Sequence, residues 1–404
     1  MSKLNITDLN VKGKKVLIRV DFNVPIKDGK ITSLARITAV KPTLDCLLRA
    51  KAKVILLSHL SRIKSVEDIK SGKKSLKIVA KALAKMYPNN KVIFVPDSTS
   101  KKLPQLVKQM KSNEIILLEN TRYQDVNVKT KQVVKHESKN NPQLAKFWAS
   151  LGDVFVNDAF ATIHRGHASN AGIAKHIKSK CIGFLIQKEL ENITKFNANS
   201  TRPIISIIGG AKIADKITLL QTLMEMSDQV LIGGGMANTF LAAEGIDMGK
   251  SLVEKEMIPV ARSLYAKYKN KIMLPIDFKV YKEFKDVSGQ NSSIRSIPKG
   301  MMALDIGPKT LKQYLKFIKY GRTIFWNGPT GVCEFANYAT STNEIANAIA
   351  KATAASAFSL IGGGDTAAAA TKKHKAMEFG YISTGGGATL AVIAGDDLPG
   401  LFIK

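Results

Sequence analysis

PIISIIGGAKIADKITLLQTLMEMSDQVLIGGG, residues 203–235, holds one complete structural repeat. An isoleucine-rich run ends in Gly209-Gly210, a stretch with apolar residues at helical spacing follows over 213–226, and a second apolar run ends in three more glycines. Continuous runs of β-branched residues read as strands buried on both faces. A helix between two such runs makes the crossover unit of a parallel sheet. The pattern extends both ways. Upstream, strands are predicted at VLIRVDFNV (16–24), KVILLSH (53–59), KVIFV (91–95), EIILLEN (114–120) and DVFVND (153–158), with helices over 35–50, 75–86, 101–110 and 142–151. Downstream, strands are predicted at KIMLP (271–275), TIFWNGP (323–329) and FSLIGGG (358–364), with helices over 236–244, 254–269, 309–319, 342–354 and 366–377.

This alternation predicts an α/β protein of two doubly wound, Rossmann-like parallel-sheet lobes. FLIQKELENITKFN (184–197) has a helical apolar face and no strand of its own, so it is expected to be a long interdomain helix and hinge. The lobes are then 1–183 and 198–390. Length and composition agree: 404 residues with 45% hydrophobic and 23% charged side chains can bury two cores. Cys46, Cys181 and Cys333 lie far apart without a C-x-x-C pair, which argues against a disulfide framework. The opening MSKLNITDLN carries no signal-like apolar run, and nowhere do eighteen apolar residues stand together. A cytoplasmic protein without membrane contact is expected.

The formal charge of +29 is lopsided: residues 1–200 hold 37 basic and 15 acidic side chains. An anionic partner is one reading. The excess is lysine scattered through polar text, however, and reads as solvated surface, with no specific nucleic-acid partner. The ten arginines are more informative, and six of them precede residue 200.

Ligands of open parallel sheets sit beyond the carboxyl ends of the strands. In the first half those ends carry Asp21, Asn23, His59, Arg62 and Arg122, and Arg36 and Arg165 stand in neighbouring polar segments. Arginine forks suit phosphate and carboxylate, so this half reads as the site of a small polyanion held by side chains. In the second half the ends carry glycines. GGGDT (362–366) opens a helix, where backbone N–H groups attract phosphate, and Asp365 in that turn suggests a magnesium-linked nucleotide phosphate. The same run fits the pattern G-x-G-x-x-A of a dinucleotide fold, and an ordinary helix cap. Lys212 and Lys216, four apart after Gly209-Gly210, would share a helical face and reach phosphates. Glu334, after the turn Asn327-Gly328-Pro329, suits ribose hydroxyls. Gly233 and Gly234 suit a flat base, and STGGGATL (383–390) puts Gly386 at a further helix N-terminus.

Taken in order, the strings RVDFNVP (19–25), SHLSR (58–62), LLENTRY (117–123), VNDAFATIHRGHAS (156–169), GGAKIADKI (209–217), LIGGGMANTF (231–240), WNGPTGV (326–332), GGGDTAAA (362–369) and ISTGGGATL (382–390) closely resemble the phosphoglycerate kinase family along nearly the whole chain. The resemblance implies reversible phosphoryl transfer between 1,3-bisphosphoglycerate and MgADP, giving 3-phosphoglycerate and MgATP. It implies that Asp21, Asn23, Arg36, His59, Arg62, Arg122 and Arg165 hold the glycerate substrate. It implies that Lys216, Gly233, Gly234, Asn327, Pro329, Glu334, Gly362, Gly363, Gly364, Asp365 and Thr366 hold the nucleotide, with Asp365 meeting magnesium. Arg36, Lys212, Gly363 and Gly386 would meet the transferring phosphoryl group. It also implies a monomer closing by hinge bending, whose C-terminal segment (391–404, with DLPGLFIK at 397–404) returns to the first lobe.

The chain departs from the family's usual pattern in places. Ser61 and Ile63 replace a glycine and a proline of the substrate loop, so that turn is expected to be built differently. Ala214 and Thr366 stand where serine is common, and Cys333 where phenylalanine is common. A basic nucleic-acid-binding protein, drawn from the charged first half, is one rival reading, and a nicotinamide-dependent dehydrogenase is the other. The dehydrogenase needs an acidic residue at the next strand end, and ISTGGG offers none.

Overall fold

The apolar runs form strands at the expected places. The computed structural model describes residues 5–197 and 199–402. The chain up to Leu190, joined by the segment from Asp397 onward, makes one compact unit, and Glu191–Asp396 makes a second.

The first unit contains β1 (Lys15–Val20), the short hairpin β2 (Ile26–Lys27) and β3 (Lys30–Ile31), then β4 (Lys53–Leu57), β5 (Lys91–Val95), β6 (Glu114–Leu118), β7 (Val154–Asp158) and β8 (Lys180–Ile182). Six of these form a parallel sheet in the order β5-β6-β4-β1-β7-β8. Val16 of β1 stands level with Val54 on one side and Val154 on the other. β1 is therefore central, and the ends of β4, β1 and β7 open side by side. Leu17, Ile55, Ile116, Trp148 and Phe155 are fully buried in one cluster under the sheet. Trp148 satisfies its indole N–H on the Ser98 carbonyl at 2.8 Å. Burial of each such side chain contributes about 1.5–3 kcal/mol.

The second unit contains β9 (Ile204–Ile208), β10 (Gln229–Ile232), β11 (Ile272–Met273), β12 (Asp277–Tyr281), β13 (Gln290–Ser293), β14 (Met302–Ile306), β15 (Thr323–Asn327), β16 (Phe358–Gly362) and β17 (Tyr381–Ile382). Its parallel sheet runs β11-β10-β9-β15-β16-β17. The winding direction reverses between β9 and β15, which is where open sheets of this kind bind ligands.

Several expectations are corrected. β12, β13 and β14 form a small antiparallel sheet that the parallel pattern did not foresee. The helix expected over 35–50 is two helices, Ala35–Ala39 and Lys41–Arg49, broken at Val40 because Pro42 has no N–H to continue the ladder. The interdomain helix is shorter than 184–197: it spans Phe184–Ile193, and the division between units falls inside it. Beyond it the Asn197 amide donates to the Thr194 carbonyl (2.6 Å) and the Ser200 hydroxyl to the Lys195 carbonyl (2.7 Å), turning the chain out of helical register. The returning tail is shorter than 391–404: residues through Asp396 belong to the second unit, because the helix Gly386–Ala394 packs there, and only the segment from Asp397 joins the first. Gly400 donates to the Ile163 carbonyl and accepts from the Asn157 amide, both at 2.8 Å, and the rings of Phe402 and Phe155 lie 5.7 Å apart. Ile403 and Lys404 lie outside the described residues.

Candidate active site

In the first unit, β1 delivers Asp21 and Asn23, β4 delivers His59, and the turn after β6 delivers Arg122. Asp21 is buried, and its Oδ2 pairs with the Arg36 guanidinium. The Asn23 N–H donates to Asp21 Oδ1 at 3.0 Å, while Asn23 Oδ1 accepts from the Ser61 N–H at 2.8 Å. Burial alone would raise the Asp21 carboxyl. His59, Arg36, the Asn23 N–H and Arg19 outweigh it and hold the group below the ordinary carboxylate range. His59 lies 3.9 Å from Asp21. Burial, with Arg19, Arg122 and Arg36 nearby, drives its imidazole down to about 3 against the pull of Asp21. Burial, with Arg19, Arg122, His59 and Arg165 nearby, presses His167 to about 2. Both rings are therefore neutral at pH 7.

The arginines crowd one another. Burial, then Arg122 and Arg62, push the Arg165 guanidinium below its usual value. Arg122 is anchored by the Ser138 hydroxyl at 3.0 Å and Asp125 at 3.6 Å. Arg62 is exposed. Such clustered guanidinium groups make a site for an anion carrying more than one charge.

The two departures at positions 61 and 63 have separate structural outcomes. Ser61 adopts the left-handed φ of +59° that glycine would supply freely. Ile63 is buried with Val66 and Val126, against Ile69 and Tyr123, so it serves a small satellite core.

In the second unit the ends of β9 and β15 meet back to back. A Cβ on Gly209 would lie 2.0 Å from the Pro329 carbonyl oxygen, so only glycine fits there. The Gly209 N–H donates to the Asn327 carbonyl (2.9 Å) and the Gly210 N–H to the Pro329 carbonyl (3.1 Å). The buried Asn327 amide donates to the Gly362 carbonyl (2.7 Å), and the Gly328 N–H donates to the Thr366 hydroxyl (2.7 Å). Asn327 and Thr366 thus build the turns that surround them. Gly363, at φ +95°, opens the helix Gly364–Thr371, and a Cβ on Gly386 would lie 3.0 Å from its Cα. Gly386 begins the helix Gly386–Ala394. Two helix N-termini therefore converge on one place, a favourable setting for phosphate.

The lysine expectation is corrected. Lys212 and Lys216 do not share a helical face, because the helix starts only at Ile217. Ala214–Lys216 is a single 3-10 turn, at whose start Glu254 Oε2 accepts from the Ile213 N–H (2.6 Å) and the Ala214 N–H (3.3 Å). Lys212 is exposed before that turn, while Lys216 reaches back to the Gly209 carbonyl at 3.0 Å.

Beside these turns lies a cavity of about 390 Å³, lined by Gly210, Gly234, Gly235, Leu252, Phe284, Leu304, Pro329, Val332, Glu334 and Asp365, among others. Gly235, rather than Gly233, faces it, since Gly233 packs on the Thr330 side chain. Leu252 and Phe284 are 60% and 63% exposed. Apolar side chains left open at a cavity rim suit a flat aromatic ligand. Sequence reading missed both residues, and isolated apolar residues in polar text carry no periodic signal. It also missed Arg19 and Glu137, which are fully buried beneath the arginine cluster.

Comparison with known proteins bears on this geometry. The family model described as phosphoglycerate kinase matches residues 6–396. The phosphoglycerate kinase of Mycoplasma pneumoniae is 49% identical over 395 residues, covering 96% of each chain. That of Listeria monocytogenes serotype 4b is 47% identical over 402 residues, covering 99% of this chain and 98% of the relative. The structure of phosphoglycerate kinase from Coxiella burnetii superposes with a TM-score of 0.81 at 37% identity, over 99% of this chain and 98% of the other. That from Pyrococcus horikoshii OT3 gives 0.81 at 31% identity, over 98% and 97%. With two parallel-sheet units, an arginine-lined strand end in one and a glycine-lined switch point in the other, the chain belongs to the phosphoglycerate kinase family and is a phosphotransferase of glycolysis.

Proposed function

We propose that the chain transfers a phosphoryl group reversibly between 1,3-bisphosphoglycerate and MgADP, the glycerate half held by the first unit and the nucleotide by the second. The observation that carries this division is the contrast between the two strand-end sites. Arg62, Arg122 and Arg165 crowd together in one, with His59 neutral beside them. Backbone glycines and an apolar cavity make the other.

In the first unit the arginines neutralise the phosphate and carboxylate of the substrate, and Asp21 and Asn23 orient its hydroxyl. In the second, Gly234, Pro329 and the cavity walls take the base and Glu334 the ribose. Lys216, Asn327, Gly362, Gly363, Gly364 and Thr366 shape the phosphate turn, with Gly233 supporting it from behind. Asp365, exposed in the first helical turn and lining the cavity with Glu334, suits a magnesium ion that arrives on the nucleotide. Among the described residues no group of three or more acidic, histidine or cysteine side chains is set to hold a metal ion. When bound, magnesium neutralises charge on the nucleotide phosphates.

An acyl phosphate is already activated and its acceptor is a phosphate oxygen, so no general base is needed. In-line alignment and positive charge on the moving group do the work. Arg36 and Lys212 supply that charge, and Gly363 and Gly386 let backbone N–H groups approach. The two ligands belong to different units, so transfer requires them to be brought together and shielded from water, by a hinge at the helix Phe184–Ile193. The working protein is a cytoplasmic monomer, its surplus lysines solvated and without a specific nucleic-acid partner.

Arg36→Ala tests the reading. Losing one donor that stabilises transition-state charge costs on the order of 10²–10³ in kcat, about 3–4 kcal/mol. Nucleotide binding should persist, and Arg36→Lys should rescue only in part, since an ammonium lacks the fork. Arg49, exposed at the end of the helix Lys41–Arg49, is the control, and its alanine variant should be unaffected. Retention of most kcat in Arg36→Ala, or equal damage in Arg49→Ala, removes Arg36 from this role.

A further inference from the structure

Arg19 lies inside β1 and is wholly buried. Its Nε donates to the Ser169 hydroxyl at 2.7 Å and its Nη1 to the Val20 carbonyl at 2.5 Å. Its Nη2 stands 3.2 Å from His59 Nδ1. A guanidinium has five donors and no acceptor, so in this contact the imidazole nitrogen must accept. We propose that Arg19 is a positioning residue, which fixes His59 in the tautomer protonated on Nε2 and so presents it to the glycerate substrate as a neutral N–H donor. The inference rests on the reading above that His59 meets that substrate.

The neighbours make the arrangement necessary. Asp21 Oδ1 lies 3.9 Å from the same Nδ1. Left alone, such a carboxylate would draw a proton onto Nδ1 and favour a charged ring. Arg19, with Arg122 and Arg36, opposes this, and His167 also faces His59. Arg19 is itself balanced: the Ser169 hydroxyl that accepts from it donates on to Glu137 Oε1, and the Ser169 N–H donates to Glu137 Oε2 at 3.0 Å. Glu137 is wholly buried and lies 3.9 Å from His167 Nδ1. The chain Glu137–Ser169–Arg19–His59 thus runs from the buried interior to the candidate substrate site, and each link has a defined donor. A neutral His59 with one fixed proton gives the substrate the same partner across the physiological range, despite an aspartate beside it.

Nitrogen-resolved NMR of the full chain with labelled histidine tests this. In the wild type, His59 should show an unprotonated Nδ1 and a protonated Nε2, unchanged from about pH 5.5 to about pH 8. In Arg19→Met combined with Glu137→Gln, which leaves no unpaired buried charge, His59 should move its proton to Nδ1 and titrate within that window. The KM for 3-phosphoglycerate should rise roughly tenfold, the loss of one directed hydrogen bond, and become pH-dependent, while the KM for ATP stays unchanged. Arg19→Lys, which keeps a buried donor, should retain the wild-type tautomer. A wild-type His59 protonated on Nδ1, or titrating near pH 6.5, overturns the proposal, as does a folded double variant that keeps the wild-type tautomer. Should the double variant fail to fold, the wild-type spectrum and Arg19→Lys decide. If the tautomers behave as expected but His59→Gln leaves the KM for 3-phosphoglycerate unchanged, the substrate reading fails rather than the positioning of His59.

Discussion

Ser61 holds a backbone φ of +59° in the loop between His59 and Arg62, with its N–H on Asn23 Oδ1 at 2.8 Å. A left-handed conformation costs an L-residue roughly 1–2 kcal/mol, whereas glycine gives up about 0.5–1 kcal/mol in chain entropy. The steric term wins. Ser61→Gly should therefore stabilise the protein by about 0.5–1 kcal/mol, read as a higher urea midpoint, with the KM for 3-phosphoglycerate little changed. A lower midpoint would mean that the serine side chain contributes more than its backbone strain costs. At this scale much of the candidate site was legible. Asp21, His59, Arg62 and Arg122 stand just beyond apolar runs, where the pleat gives way to loop and side chains are freed to face a ligand. Arg19 was not legible, because inside a strand nothing in the sequence tells a buried arginine with partners from a misplaced surface charge. The spacing of Lys212 and Lys216 misled for the opposite reason. It assumed an α-helix from residue 213, whereas a tight 3-10 turn occupies Ala214–Lys216 and the α-helix starts at Ile217.

Among the elements, the helix Phe184–Ile193 depends on one carboxylate from another strand. Asp158, at the end of β7, accepts from the Leu185 N–H at 3.0 Å and the Ile186 N–H at 3.1 Å through Oδ1. The Thr43 hydroxyl accepts from the Phe184 N–H at 3.0 Å. Burial pushes the Asp158 carboxyl up to about 7, although Thr43 and the two N–H groups pull against it. A raised folded value gives stability that is fully present below the unfolded value near 3.8 and is lost as pH rises through about 7. Asp158→Asn keeps an acceptor but cannot titrate. Between about pH 5 and pH 8.5 the variant should gain about 2–3 kcal/mol relative to the wild type, at 1.36 kcal/mol per unit. Urea midpoints of both proteins at the two pH values measure this, and parallel profiles would rule out Asp158 as the titrating group. Sequence showed that a helix begins here, since FLIQKELENI is amphipathic. It could not show the cap, which comes from twenty-six residues upstream of its first helical residue. It also missed the β12–β14 sheet, because the alternation in DFKVY spans too few residues to stand apart from the parallel runs around it.

For the whole molecule, the alternation of strands and helices was enough to give two α/β units, because burying both faces of a parallel sheet leaves few other solutions. The charge of +29 is an independent whole-molecule property, concentrated before residue 200 in the unit assigned to the phosphorylated glycerate. Its field favours the approach of anions in general and specifies none. On the proposed reading, specificity lies in the fixed groups: Asp21, the arginines and a neutral His59 on one side, the glycine turns and the apolar cavity on the other. On this account neither unit alone is an enzyme. The most direct test is steady-state turnover of the purified full chain with 3-phosphoglycerate and MgATP, followed as ADP formation. The expected result is saturable turnover that requires both substrates. A folded protein that binds MgATP but forms no ADP in the presence of 3-phosphoglycerate would contradict the account.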